Sequence, residues 1–97
     1  MKYEIVFAPE AVQDLKLLKA HTRATVRDGI ERFLRHEPAK TSRSGIKCLR
    51  GVSKPQFRLR VGDVRVFYDV SERRVEVLAI VSKADADSWL KKVGDKL

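Results

Sequence analysis

The chain has 97 residues, 43% hydrophobic and 35% charged, which suits one folded domain and neither a disordered chain nor a membrane span. Its formal net charge of +8 points to an anionic partner rather than a membrane core. The lone Cys48 argues against a disulfide framework, and the two separated histidines, His21 and His36, make no metal-ligand cluster; both read as surface helix residues.

The start, "MKYEIVFAPEA", places Glu4 and Pro9 where a secretory signal needs unbroken apolar residues, so a cytoplasmic location is expected. Tyr3 to Phe7 alternates as a short strand with Tyr3, Ile5 and Phe7 on one face. Pro9 suits the first turn of a helix and Glu10 complements its dipole, although Ala8 is a poor cap. Ala11, Val12, Leu15 and Leu18 mark one face of that helix. A second helix is predicted from near Thr22, with Val26, Ile30, Phe33 and Leu34 at helical spacing, and Pro38 ends it. Gly29 inside it costs about 1 kcal/mol relative to Ala, which a close approach of the other helix or the sheet would explain.

A loop of Lys, Ser, Thr and Gly then leads to strands at Ile46–Arg50, Gln56–Val61, Val64–Val70 and Val75–Val81. Turn signals at Gly51 to Pro55, Gly62-Asp63 and Ser71 to Arg74 join them as an antiparallel meander. Val75–Val81 is apolar on both faces, the mark of a central covered strand. Ser82 and Asp85 are spaced as a capping box for a last helix carrying Ala86, Trp89, Leu90 and Val93 and stopping at Gly94. The expected fold class is α+β in the order β-α-α-β-β-β-β-α. It is a mostly antiparallel sheet of four to five strands with an N-terminal helical hairpin packed on it and a short C-terminal helix. Residues 1–97 form one domain, with no repeat or linker.

The positive charge is concentrated. From Pro38 to Gly62 no Asp or Glu occurs, while Lys40, Arg43, Lys47, Arg50, Lys54, Arg58 and Arg60 are all basic; the rest of the chain is nearly neutral. Such a patch suits a polyanion, through attraction and counterion release. The stretch "FRLRVGDVRVFY" sharpens that reading. If Gly62-Asp63 is a two-residue hairpin loop, Arg60 lies opposite Arg65 and Phe67 opposite Arg58, on the face away from Phe57, Leu59 and Val61. Like charges facing one another destabilise a sheet. The cost is relieved when an anion binds among them, because planar guanidinium groups suit phosphate oxygens. Pairing with Asp63 or Asp69, or splaying into water, is the plain structural alternative.

"LRG" at Leu49–Gly51 followed by "FRLRVGDVRVFYDV" at Phe57–Val70 resembles the signature of the RelE/ParE toxin superfamily. Element order, length, basic charge and the "PEAVQDLKLL" opening agree with it along nearly the whole chain. The resemblance implies a toxin of a type II toxin–antitoxin pair, RelE-like: a metal-independent endoribonuclease, or mRNA interferase, that cuts mRNA in the ribosomal A site. In that family the 2′-hydroxyl attacks the adjacent phosphate and sheet cations stabilise the transition state. Arg58, Arg60 and Arg65 occupy the basic sheet positions of the motif. The family often adds an Arg or His after the last strand and a Tyr near the C-terminus. This chain has "VSKADADSWL", so Lys83 and Trp89 fall nearest, with Asp85 and Asp87 between them.

Lys83 keeps a charge without the bidentate fork, and Trp89 can stack but cannot act as acid or base. Trp89 equally suits a core anchor that docks the final helix. Arg58, Arg60, Arg65 and Lys83 are thus the candidate catalytic residues, and Lys40, Arg43, Lys47, Arg50, Lys54 and Trp89 the candidate RNA contacts. The implied partners are a cognate antitoxin with an acidic segment, mRNA, and the ribosome with its 16S rRNA. A heterotetramer with the antitoxin is one assembly that follows; no cofactor, metal or membrane is implied. A ParE-like toxin acting on DNA gyrase, or a degenerate member that binds its antitoxin without cutting RNA, stays open beside this reading.

Overall fold

The computed structural model describes residues 2–41 and 45–94. Its elements are β1 (Glu4–Phe7), α1 (Pro9–Leu17), α2 (Ala20–Leu34), β2 (Ile46–Cys48), β3 (Phe57–Val61), β4 (Val64–Ser71), β5 (Arg74–Ser82) and α3 (Lys83–Gly94). The five strands form one sheet in the order β1-β5-β4-β3-β2. β1 runs parallel to β5, and the other neighbours are antiparallel. The expected α+β order is therefore present, with α2 beginning at Ala20 rather than Thr22 and β2 stopping at Cys48 rather than Arg50.

Ala8 makes no side-chain cap, as its methyl group dictates. The start of α1 is fixed by the sheet instead, since the Ala8 N–H donates to the Val77 carbonyl at 2.9 Å. Ala11 and Leu15 of α1 and Val26, Ile30 and Leu34 of α2 bury against Leu59, Val66, Tyr68, Val75 and Val77. This helical hairpin covers one face of the sheet. A Cβ on Gly29 would stand 3.0 Å from Val61 Cγ2, so the glycine in α2 answers the close approach of β3. Tyr68 is fully buried, and its hydroxyl donates to the Pro38 carbonyl at 2.6 Å, pinning the α2–β2 connection. Burial pushes that phenol well above its ordinary pKa, so it remains a neutral donor.

One irregularity decides what the opposite face looks like. The β4–β5 register shifts between Phe67 and Tyr68: Phe67 pairs with Ala79, Tyr68 with Val77. Leu78 is thereby the extra residue of a β-bulge, and the alternation of β5 changes phase there. Val75 and Val77 face the helical hairpin before the bulge and Ile80 after it, leaving the small Ala79 beside Phe67 on the other face. Asp14 of α1 accepts the Ile80 N–H at 2.9 Å just after the bulge.

α3 lies over that opposite face. Ser82 caps it, its hydroxyl accepting the Asp85 N–H at 3.2 Å. The Lys83 N–H donates to the Asp63 carbonyl at 2.7 Å, tying the helix start to the β3–β4 loop. Trp89 stacks on Phe67, with centroids 4.7 Å apart and planes 18° from parallel, and Ala86 is buried beside them. No described helix is long and apolar enough to cross a membrane.

Candidate nucleic-acid interface

Gly62 has φ of 58° while among the described residues no non-glycine, Asp63 included, has positive φ, the sign pattern of a II′ two-residue hairpin loop. With that loop as the pivot, Val61 pairs with Val64, Arg60 with Arg65 and Arg58 with Phe67. Lys47 of the edge strand β2 pairs with Arg58, which extends the basic row by one strand. Strand alternation turns Leu59 to the core and sends the arginines to the α3 side.

The three guanidinium groups stand in different surroundings. Arg65 is 8% exposed, and its Nη1 donates to the Gly62 carbonyl at 2.9 Å and the Val64 carbonyl at 3.2 Å. It braces the hairpin loop. Arg58 is half-buried, and its Nε is sealed from water with no hydrogen-bond partner. Burial, then the charges of Arg65 and Arg60, hold its pKa below the usual guanidinium value, although an arginine stays protonated. Arg60 is exposed; its backbone N–H donates to the Gly45 carbonyl at 3.1 Å.

Among the described residues no carboxylate forms an ion pair with Lys47, Arg58, Arg60, Arg65 or Lys83. Asp69, the nearest acid along β4, is engaged elsewhere: it accepts the Gln56 N–H at 2.7 Å and lies 3.9 Å from Lys54 Nζ. Between α3 and the sheet runs a groove of about 310 Å³ lined by Lys47, Arg58, Arg65 and Lys83, with Phe67 and Asp87. The arrangement presents cations from four elements to anything anionic that enters, with an aromatic floor.

Of the residues singled out in the sequence, Arg58, Arg65, Lys83 and Lys47 meet in this groove, and Arg60 stands outside its lining. Arg50 is exposed beyond the end of β2. Lys54 is drawn to the far end of the face by Asp69 and by Glu76 at 4.0 Å, and Lys40 faces Glu37 at 3.6 Å. Arg43 lies outside the described residues. Trp89 docks α3 on Phe67, so one face of its ring is already occupied. Asp87 lines the groove with no role in the sequence reading. Its spacing from Lys83, one helical turn, was the available signal, but only the docking of α3 shows which side of the helix faces the arginines.

Comparison with known proteins bears on the family and the fold. A family model described as the ParE toxin of the type II toxin–antitoxin system parDE matches residues 5–87. Among solved structures, the RelBE2 toxin–antitoxin complex from Mycobacterium tuberculosis is 25% identical with a TM-score of 0.71, over 84% of this chain and 99% of that one. The RelB–RelE complex from Methanococcus jannaschii is 21% identical with a TM-score of 0.68, covering 87% of this chain and 96% of that one. A mutant of the E. coli toxin RelE in the free state is 19% identical with a TM-score of 0.72, over 100% of both chains. No curated protein sequence is significantly similar to the chain. With a family model spanning most of its length and a fold shared with RelE toxins, the chain belongs to the ParE toxin family, within the RelE/ParE superfamily of type II toxin–antitoxin toxins.

Proposed function

We propose that the chain is a ribosome-dependent endoribonuclease that cuts mRNA in the A site and is held inactive by a cognate antitoxin bearing an acidic segment. The observation that supports this most is the half-buried Arg58, without a partner at Nε, in a groove shared with Arg65, Lys47 and Lys83. In-line attack of a 2′-hydroxyl on the adjacent phosphate builds extra negative charge on the phosphoryl oxygens. Preorganised cations lower that barrier, since they need no reorganisation as charge develops. Arg58 supplies free donors, Arg65 a fixed charge beside it, and Lys47 and Lys83 point charges at the groove walls. Arg60, Arg50 and the loop cations would guide the RNA backbone towards it.

Primer extension on mRNA after induction tests the reading: cuts inside translated codons are the expected result. A second reading has its own support, because the matching family model carries the ParE description and the chain lacks the Arg or His and Tyr of RelE-like nucleases. Under that reading the same face grips DNA gyrase, and induction yields DNA breaks and an SOS response without mRNA cuts. Growth that is unaffected by induction would mark a member that binds its antitoxin without toxicity.

The final helix is expected to be dispensable for folding and required for activity. None of its residues belongs to the main core, which α1, α2 and the inner sheet face build by themselves. Deleting residues from Ala84 onward exposes Phe67 and costs about 2–3 kcal/mol of apolar burial. The truncated chain should keep its near-ultraviolet circular dichroism apart from the Trp89 signal, melt at lower temperature and lose mRNA cutting. A truncation that cannot fold would make α3 integral to the core.

A further inference from the structure

We infer that Asp87 is the general base of this site, taking the proton from the attacking 2′-hydroxyl; the inference rests on the ribonuclease reading above. That reaction cannot proceed on cations alone. As the 2′-oxygen bonds to phosphorus, its proton must leave, and an arginine or a protonated lysine offers donors and no acceptor. The groove holds Arg58, Arg65, Lys47 and Lys83, and its remaining walls are hydrocarbon apart from one carboxylate, that of Asp87. Among its described lining residues, Asp87 is therefore the one side chain that carries an acceptor oxygen.

The helix places it there by periodicity. Lys83, Ala86, Asp87 and Leu90 follow the i, i+3, i+4, i+7 spacing and form the stripe of α3 that lines the groove. Ala86, next to Asp87, is buried against the sheet. Asp85 serves a different end, in the first turn of α3 with its amide bonded to Ser82. Although Lys83 lies one turn before Asp87, no ion pair joins them, and the Asp87 carboxylate makes no hydrogen bond among the described residues. Its oxygens are free to accept.

The 2′-oxygen forms a bond to phosphorus while its proton passes to an Asp87 carboxylate oxygen. The bond from phosphorus to the 5′-oxygen breaks, and that oxygen takes a proton from the ammonium of Lys83 or Lys47. The products are a 2′,3′-cyclic phosphate and a 5′-hydroxyl, and exchange with water restores both groups.

The test is Asp87→Asn in the full chain, assayed for single-turnover cutting of mRNA on programmed ribosomes across a pH series. The charged groups that line the groove with the carboxylate are Arg58 from β3, Arg65 from β4, Lys47 from β2 and Lys83 from α3. Loss of the base should lower the single-turnover rate constant by about 10²- to 10⁴-fold with the half-saturating concentration unchanged, and remove the acid limb of the wild-type rate profile. Asp87→Glu should keep part of the rate and the limb. An unchanged or faster Asp87→Asn enzyme would overturn the inference, leaving the carboxylate as a mere counter-charge. So would a slow variant that keeps the acid limb or melts well below wild type. A wild-type chain that cuts no mRNA would instead remove the ribonuclease reading itself.

Discussion

Arg58→Met should yield a folded chain that has lost about 10²- to 10³-fold in mRNA cutting, the cost of removing one preorganised donor from a developing oxyanion. The direction of the stability change is what makes the prediction specific. Arg58 is half-buried with Nε unpartnered, and the charges of Arg65 and Arg60 repel it. Methionine keeps the apolar stem, which packs, and removes the charge, which is desolvated without compensation. The variant should therefore melt at the wild-type temperature or above. Arg65→Met differs in kind. Its guanidinium satisfies the carbonyls of Gly62 and Val64, and charge-assisted bonds of this sort contribute about 1.5–3 kcal/mol each. That variant should lose activity and stability together. Thermal melts beside single-turnover rates separate the two arginines. Equal destabilisation of both variants would mean that Arg58 too is structural, and the case for a phosphate ligand would fall.

This division between the arginines lies at the border of what the sequence could disclose. Their shared face was legible because Gly62-Asp63 leaves few ways to pair the flanking strands, and a one-residue slip would bury Arg58 and Arg60 in the core. The helical hairpin was legible from its apolar period, and the contact behind Gly29 from the cost of a glycine in a helix; that the neighbour is Val61 was not. Arg65 and Arg60 look equivalent along the chain, yet one braces a turn and the other stands in solvent. The difference arises from hydrogen bonds to carbonyls whose direction depends on the turn geometry. The bulge at Leu78 carries no glycine or proline to mark it, so the phase change that sets Ala79 beneath α3 had no local signal. Asp69 offered a nearby acid in the sequence, and it is the Gln56 amide and Lys54 that keep it from the arginines.

Those side-chain pairings also redraw the surface an inhibitor must meet. Lys40 and Lys54 have carboxylates of their own, so among the described residues of this face the cations left to an incoming partner are Lys47, Arg50, Arg58, Arg60 and Lys83. An antitoxin that covers them with apolar residues alone would strand charges at a desolvated interface, each costing several kcal/mol, on the order expected for an unpaired buried ion. It should bring Asp or Glu instead, and the attraction should act while the partners approach. The association rate of the cognate pair should then fall by about 10- to 10³-fold as salt rises and the screening length shrinks from about 30 Å at 0.01 M to about 8 Å at 0.15 M. Dissociation should change far less, because contacts already formed exclude the ions that screen the approach. Charge reversal at the exposed Arg60 should flatten the salt dependence without altering the fold, since its side chain holds nothing in the free chain. Stopped-flow mixing of toxin and antitoxin over that range measures both rates. An association rate indifferent to salt would mean that inhibition works from another surface and leaves the arginine groove open.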